Sequence, residues 1–195
     1  MHKSYLNNLE LADFIRIETP FLTPQSTKLK KYRIADEYLL FYSKFLKDNE
    51  KLITAGGGEA LFKSKILKSW NPWMGMAFES FCHNNALYLA KRMGFEEKVE
   101  GFGPHFLRGD KGFQIDLAYK RTDKVITICE IKYYNKPIST TIIPEIKQKL
   151  THLKIPRGYT LEYALISKCG ADNALKDTEF FHHILSEESL LAEKK

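Results

Sequence analysis

The stretch from Gly112 to Asn135, GFQIDLAYKRTDKVITICEIKYYN, carries charge where a buried strand should carry none, and this limits the folds open to the chain. Phe113, Ile115, Leu117 and Tyr119 alternate with Gln114, Asp116, Ala118 and Lys120, the period of two expected of a strand. Val125 to Tyr134 is β-branched and almost continuously apolar, as in a strand covered on both faces. Glu130 and Lys132 interrupt that run. Two residues apart, they leave the strand on the same side. A carboxylate and an ammonium on a buried strand are costly unless they are paired or hold a metal.

Asp116 shares a face with Glu130 only in some registers. A two- or four-residue loop centred on Thr122 and Asp123 would put the two acids on opposite faces. An odd-length loop near Thr122, Asp123 and Lys124, or a bulge, is therefore expected if the acids act together. A buried Glu–Lys pair that only sets the register would leave the same trace in the sequence.

An acidic residue on one strand followed by Glu-x-Lys on the next resembles the core motif of the PD-(D/E)xK nuclease superfamily. Asp116 matches the first acid, with Ile115 where that superfamily often has proline, and Glu130-Ile131-Lys132 matches the second element. The resemblance implies phosphodiester hydrolysis with Mg²⁺ or Mn²⁺. Asp116, Glu130 and the Ile131 carbonyl would be the ligands, since Mg²⁺ takes oxygen donors and only one or two carboxylates. Lys132 would orient or deprotonate the attacking water, the latter only with a lowered pKa. A glutamate on the first helix of such domains points into the metal site, which makes Glu79 a third acidic candidate. The helix after Glu-x-Lys often donates to phosphate, which nominates Lys149 and Gln148.

The order of YLNNLELADFIRIETPF, KKYRIADEYLLFYSKFL, GMAFESFC and the hairpin is similar to the C-terminal half of a family of prokaryotic P-loop ATPases. Those proteins join an ATPase domain, a winged helix and a nuclease-like domain. The present chain has no Walker A sequence, and the leading helices of the winged helix are missing. It is expected to be a truncated or split relative, or part of a longer product, with an ATPase partner or a missing ATPase domain.

The expected fold is α/β: a restriction-endonuclease-like core of helix, three antiparallel strands, helix and strand, preceded by a partial winged-helix unit. Residues 1–48 form that unit, 49–73 a linker with its flexible point at Gly56-Gly57-Gly58, and 74–195 the nuclease-like domain. In the first unit, Tyr5 to Ala12 reads as a helix, and Asp13 to Glu18 and Lys31 to Ile34 read as strands. Residues 20–31 form the wing, and Asp36 is a good N-cap for a helix of Glu37 to Phe45. The wing cluster Lys28, Lys30, Lys31 and Arg33 could touch a phosphate backbone. Trp70 and Trp73 read as packing anchors.

Further along, Gly75 to Met93 reads as one long helix. A short edge strand lies around Lys98 to Glu100, and Gly101 to His105 reads as a loop whose His105 could meet substrate. Gly109 to Gly112 turns into the hairpin. Ile142 to Leu153 reads as a helix capped by Ser139 or Thr140, Tyr159 to Ser167 as the last central strand, and Phe180 to Leu191 as a closing element.

With 195 residues and a formal charge of +6, the chain suits a polyanion partner without requiring one. Cys82, Cys129 and Cys169 stand singly in apolar surroundings and read as reduced core thiols of a cytoplasmic protein. No apolar run approaches the length of a membrane span, and the N-terminus has no signal-peptide pattern. His182-His183 lacks ligand spacing, so zinc is not expected. DNA is the expected partner. A homodimer is possible, as in many nucleases of the superfamily, although the sequence carries no dimer signature. The leading reading is a metal-dependent DNA endonuclease. The rivals are a nuclease fold that no longer cuts and serves DNA binding or partner docking, and a winged-helix regulator, which would need the helix-turn-helix that this chain lacks.

Overall fold

A computed structural model describes residues 2–23, 27–109 and 112–192. The tip of the expected wing at 24–26, and Asp110 and Lys111 of the turn before the hairpin, lie outside them.

The chain opens with α1 (His2–Leu11), β1 (Ile15–Glu18) and β2 (Lys31–Ile34). The two strands pair antiparallel, Ile15 against Ile34 and Glu18 against Lys31. Asp36 caps α2 (Glu37–Phe41) as expected, accepting from the Leu39 N–H at 2.8 Å. From there the backbone stays helical. Tyr42 to Ile66 winds through wide and tight turns that include the short α3 (Glu50–Leu52) and α4 (Gly58–Leu61). The segment expected as a linker is thus helical, and its one break is Gly56, in the left-handed region at φ +86. Phe41, Phe45, Leu61, Ile66, Trp70 and Trp73 form a small core of their own. The tryptophan rings stand 5.3 Å apart, as packing anchors do.

Instead of one long helix from Gly75, there are two: α5 (Leu67–Asn84) and α6 (Ala86–Met93), broken at Asn85. A sheet of five strands follows in the order β3 (Val99–Leu107), β4 (Phe113–Arg121), β5 (Val125–Lys132), β6 (Thr160–Ser167), β7 (His183–Ser186). The first three are antiparallel, and β5, β6 and β7 run parallel. The parallel step from β5 to β6 passes through α7 (Ile142–Leu150), as a crossover must. Neither Ser139 nor Thr140 caps that helix through its side chain. Short α8 (Asn173–Lys176) and α9 (Glu187–Leu191) flank β7.

The sheet is covered on both sides. Leu117, Tyr119, Cys129, Ile131, Ala164 and Ile166 pack on α5 and α6 through Cys82, Ala86, Leu89 and Ala90. Ile115, Ala118, Ile126 and Ile128 pack beside Leu150 of α7 and Phe21. The architecture is α/β, with the helix, antiparallel hairpins, helix and parallel strand that the sequence suggested, plus a fifth strand.

The residues from Gly101 to His105, expected as a loop, lie inside the nine-residue strand β3. A Cβ at Gly101 or Gly103 would meet the Phe21 ring at 3.2 or 3.3 Å, so the glycines admit a close neighbour instead of a turn. Pro104 is tolerated because β3 is an edge strand. His105 is buried and accepts the Leu22 N–H at Nδ1, so it anchors the N-terminal unit from inside the fold. Of the three cysteines, Cys82 and Cys129 are buried and Cys169 is exposed, contrary to expectation. No helix among the described residues is long and apolar enough to cross a membrane.

Candidate active site

The hairpin of β4 and β5 turns through three residues, Thr122 to Lys124. The Lys124 N–H closes the turn onto the Arg121 carbonyl, and Lys124 takes a left-handed φ of +63. This odd-length loop pairs Leu117 with Cys129 and Tyr119 with Thr127. The ladder ends at that first pair, and Asp116 and Glu130 are the next residues beyond it, near enough for the Glu130 charge to act on Asp116.

A bulge adds to this on the other edge of β4. Gly103 pairs with Ala118 and His105 with Ile115, so Asp116 and Leu117 together stand against Pro104 alone. Pro104 has no N–H for the ladder, and a bulge beside it re-aims the Asp116 side chain.

Asp116 Oδ2 accepts the Ile131 N–H at 2.9 Å, and Oδ1 has only a long contact of 3.5 Å from Gln114 Nε2. Burial, reinforced by the neighbouring Glu130 carboxylate, pushes Asp116 up to about 6. Glu130 is 3% exposed and bound by two ammonium groups: Lys132 Nζ at 2.6 Å and Lys149 Nζ at 2.7 Å. Burial works against the charge on Lys132. The Glu130 carboxylate outweighs it, through attraction and a hydrogen bond, and leaves the Lys132 pKa above its ordinary value. This is the opposite of the lowered pKa that a general base would need.

Glu79 on α5 lies across from Asp116 and lines the same cleft. It accepts from Arg33 at 3.0 Å and from Gln114 Nε2 at 3.2 Å. Gln114 in turn accepts from Lys31 Nζ at 2.8 Å. Lys31 also sits 4.0 Å over the Phe106 ring, so it is occupied within the protein and not held out as a wing cation. Lys30 is exposed and gives its carbonyl to Arg108. Gln148 is exposed on α7 and makes no side-chain contact at the site among the described residues.

The cleft holds about 720 Å³. Asn71, Gly75, Met76 and Glu79 of α5 form one wall, and Ile131 to Lys136 the other, with Asp116 between them. Glu130 lies behind that surface. The structure therefore brings Asp116, Glu130, Ile131, Lys132, Lys149 and Glu79 together, and leaves Lys30 and Gln148 outside. Sequence reasoning missed Gln114 and expected Arg33 as a wing cation for phosphate; both instead link the acids to the N-terminal unit. Gln114, two residues from Asp116 on one strand, could have been found from its spacing. The pairing of Arg33 with Glu79, remote in sequence, could not.

Oxygen donors from two carboxylates suit a hard divalent cation, and Asp116, which lines the cleft and whose Oδ1 has only the long Gln114 contact, is a fitting first ligand. Among the described residues no group of three or more His, Cys, Asp or Glu converges to hold a metal by itself. Any ion here would keep water or substrate ligands, as Mg²⁺ usually does.

Uncharacterized protein MJECL04 of Methanocaldococcus jannaschii is 27% identical over 172 residues, covering 84% of this chain. The chain spans 36% of that relative's length. Residues 42–146, from the helical segment through the hairpin and into α7, match the family model DUF234. Because that match takes in more than half of the chain, the protein belongs to the family described as archaea bacterial proteins of unknown function.

Proposed function

We propose that this protein is a metal-dependent nuclease, of the PD-(D/E)xK kind, that hydrolyses phosphodiester bonds in nucleic acid, DNA first among them. The observation that carries the reading is the meeting of three charged groups at the end of the hairpin: Asp116 accepts the Ile131 N–H at 2.9 Å, lies within reach of the Glu130 charge, and Glu130 pairs with Lys132 at 2.6 Å. Asp116 and Glu130 would hold the ion, Mg²⁺ or Mn²⁺. Bound there, such an ion supplies charge to the phosphoryl oxygens and acidifies a water.

The chain's own residues have separate tasks. Lys132, kept charged by Glu130, faces the cleft and offers its ammonium to the scissile phosphate. Lys149 holds Glu130 in place and is near enough to offer its ammonium to a phosphate oxygen of bound substrate. Glu79 and Gln114 orient each other and Asp116 from the α5 side.

A second reading has one observation in its favour. Glu130 and Glu79 are already satisfied by Lys132, Lys149 and Arg33, as in a nuclease fold kept for DNA binding or partner docking. An ATPase partner remains part of either reading.

The test is a cleavage assay with Mg²⁺ or Mn²⁺ on single-stranded, duplex and branched DNA, beside Glu130→Ala and Lys132→Ala. Metal-dependent cutting that both substitutions abolish is the expected result. A folded wild type that binds neither metal nor substrate, and cuts nothing, overturns the proposal.

A further inference from the structure

The cleft wall opposite α5 ends in a loop, residues 133–136, that the hydrolytic reading leaves without a task. Its two tyrosines differ. Tyr133 is packed, 5.7 Å from the Phe78 ring and beneath Lys168 at 4.9 Å. Tyr134 is 52% exposed and lines the cleft. It has no ring or hydrogen-bond partner among the described residues. It stands close enough to Lys132 to affect that residue's charge. Lys136, also exposed on the wall, and Asn71 across from it are likewise uncommitted. Such a ring leaves about half of its surface in water, beside the ammonium that would meet the scissile phosphate.

We infer that Tyr134 is a stacking platform and that the cleft takes an unpaired nucleotide, its base on the Tyr134 ring and its flanking phosphate on Lys136. This rests on the hydrolytic reading for the role of Lys132, but the binding claim can be tested without it. A paired duplex offers its bases only as edges in the grooves. A ring beside the scissile phosphate finds a base face only when the nucleotide has left the stack. A cleft of about 720 Å³ has room for a nucleotide or two of one strand. The end of β5 with the loop after it and α5 bound it on both sides. Stacking on an aromatic is tolerant of sequence, so the inferred substrate is a single strand or a frayed end of no particular sequence.

The experiment measures binding of the full chain, in the presence of a chelator, to labelled oligo-dT, oligo-U and a blunt duplex of equal length. The wild type should bind at least one of the single strands about tenfold more tightly than the duplex, and the preferred sugar identifies the nucleic acid. Tyr134→Ala should lower that affinity about 5- to 100-fold and leave duplex binding unchanged, while Tyr134→Phe keeps the wild-type value. Equal affinity for single strands and duplex, or a Tyr134→Ala protein that binds single strands like the wild type, overturns the inference. Cleavage with Mg²⁺ or Mn²⁺, measured in parallel, separates the two claims. Strand binding through Tyr134 without any cutting ends the hydrolytic reading and sustains this one. Cutting of duplexes regardless of residue 134 does the reverse.

Discussion

Arg33 on β2 reaches Glu79 on α5 at 3.0 Å and, with its Nε, Glu18 on β1 at 2.8 Å. One guanidinium thus ties the N-terminal hairpin to the wall of the cleft. Two more links run parallel to it: Lys31 to Gln114, and the Phe21 N–H to the Pro104 carbonyl at 2.8 Å. The small hairpin is part of the framework that positions the acids.

Removing Arg33 should therefore loosen more than one strand. Arg33→Ala leaves Glu18 buried with only Arg16 at 3.4 Å, and is expected to cost about 3 kcal/mol in urea unfolding. Arg33→Lys should recover less than half of that, because an ammonium cannot bridge two carboxylates as a planar fork does. A loss within experimental error for Arg33→Ala would mean that the hairpin is not held through this residue.

The metal-free protein should show two opposed pH slopes. Asp116 is raised from 3.8 to about 6, so between those values the folded state binds the extra proton, and stability from this group falls as pH rises. The loss reaches roughly 3 kcal/mol at about 1.4 kcal/mol per pH unit. His83 is lowered from 6.5 to about 4 by burial, so there the unfolded state binds the extra proton, and stability falls as pH drops. The two contributions nearly cancel from pH 4 to 6. Asp116→Asn should unmask the His83 slope and raise stability at pH 7 by up to about 3 kcal/mol, measured with chelator present. A wild-type slope left unchanged by Asp116→Asn would show that Asp116 titrates normally.

Lys132 is held charged by Glu130, which assigns it an electrostatic task. Lys132→Arg should then keep a measurable share of cleavage, while Lys132→Met should lose about 10²- to 10³-fold in kcat. Equal inactivity of both variants, with a wild-type rate that climbs with a pKa well below the ordinary lysine value, would point to a lysine base instead.

Gly75 sits inside α5 on the cleft wall, and a Cβ there would meet nothing within 4 Å. Gly75→Ala should stabilise the protein by about 1 kcal/mol through helix propensity alone. Gly75→Leu should keep most of that gain but project into the cleft and depress substrate binding. Thermal unfolding and strand binding measured on the same samples would reveal a mismatch, such as full binding by Gly75→Leu.

Much of the hairpin could be read from the sequence because its signals are local. Alternation marks β4, a β-branched run marks β5, and the spacing of Asp116 and Glu130 asks for an odd turn, which Thr122 to Lys124 provides. β3 was hidden for a different reason. Gly101, Gly103 and Pro104 are turn formers by local preference. Here they serve a ring, Phe21, that lies about eighty residues earlier in the chain. The helical course of residues 49–73 was obscured by Gly56 to Gly58, whose break is real but spans a single residue. At the site, Glu130 and Lys132 announced themselves as charges in an apolar strand. Arg33 did not, because its partners Glu18 and Glu79 come together only when the hairpin docks.

The three-residue turn at Thr122 to Lys124 also limits how this gene can change in length. Gaining or losing one residue there swaps the inward and outward sides of one strand against the other and separates Asp116 from Glu130. Gaining two restores them. Relatives that keep both acids facing each other should therefore differ in this turn by even numbers of residues, or carry an odd change together with a second bulge that cancels it.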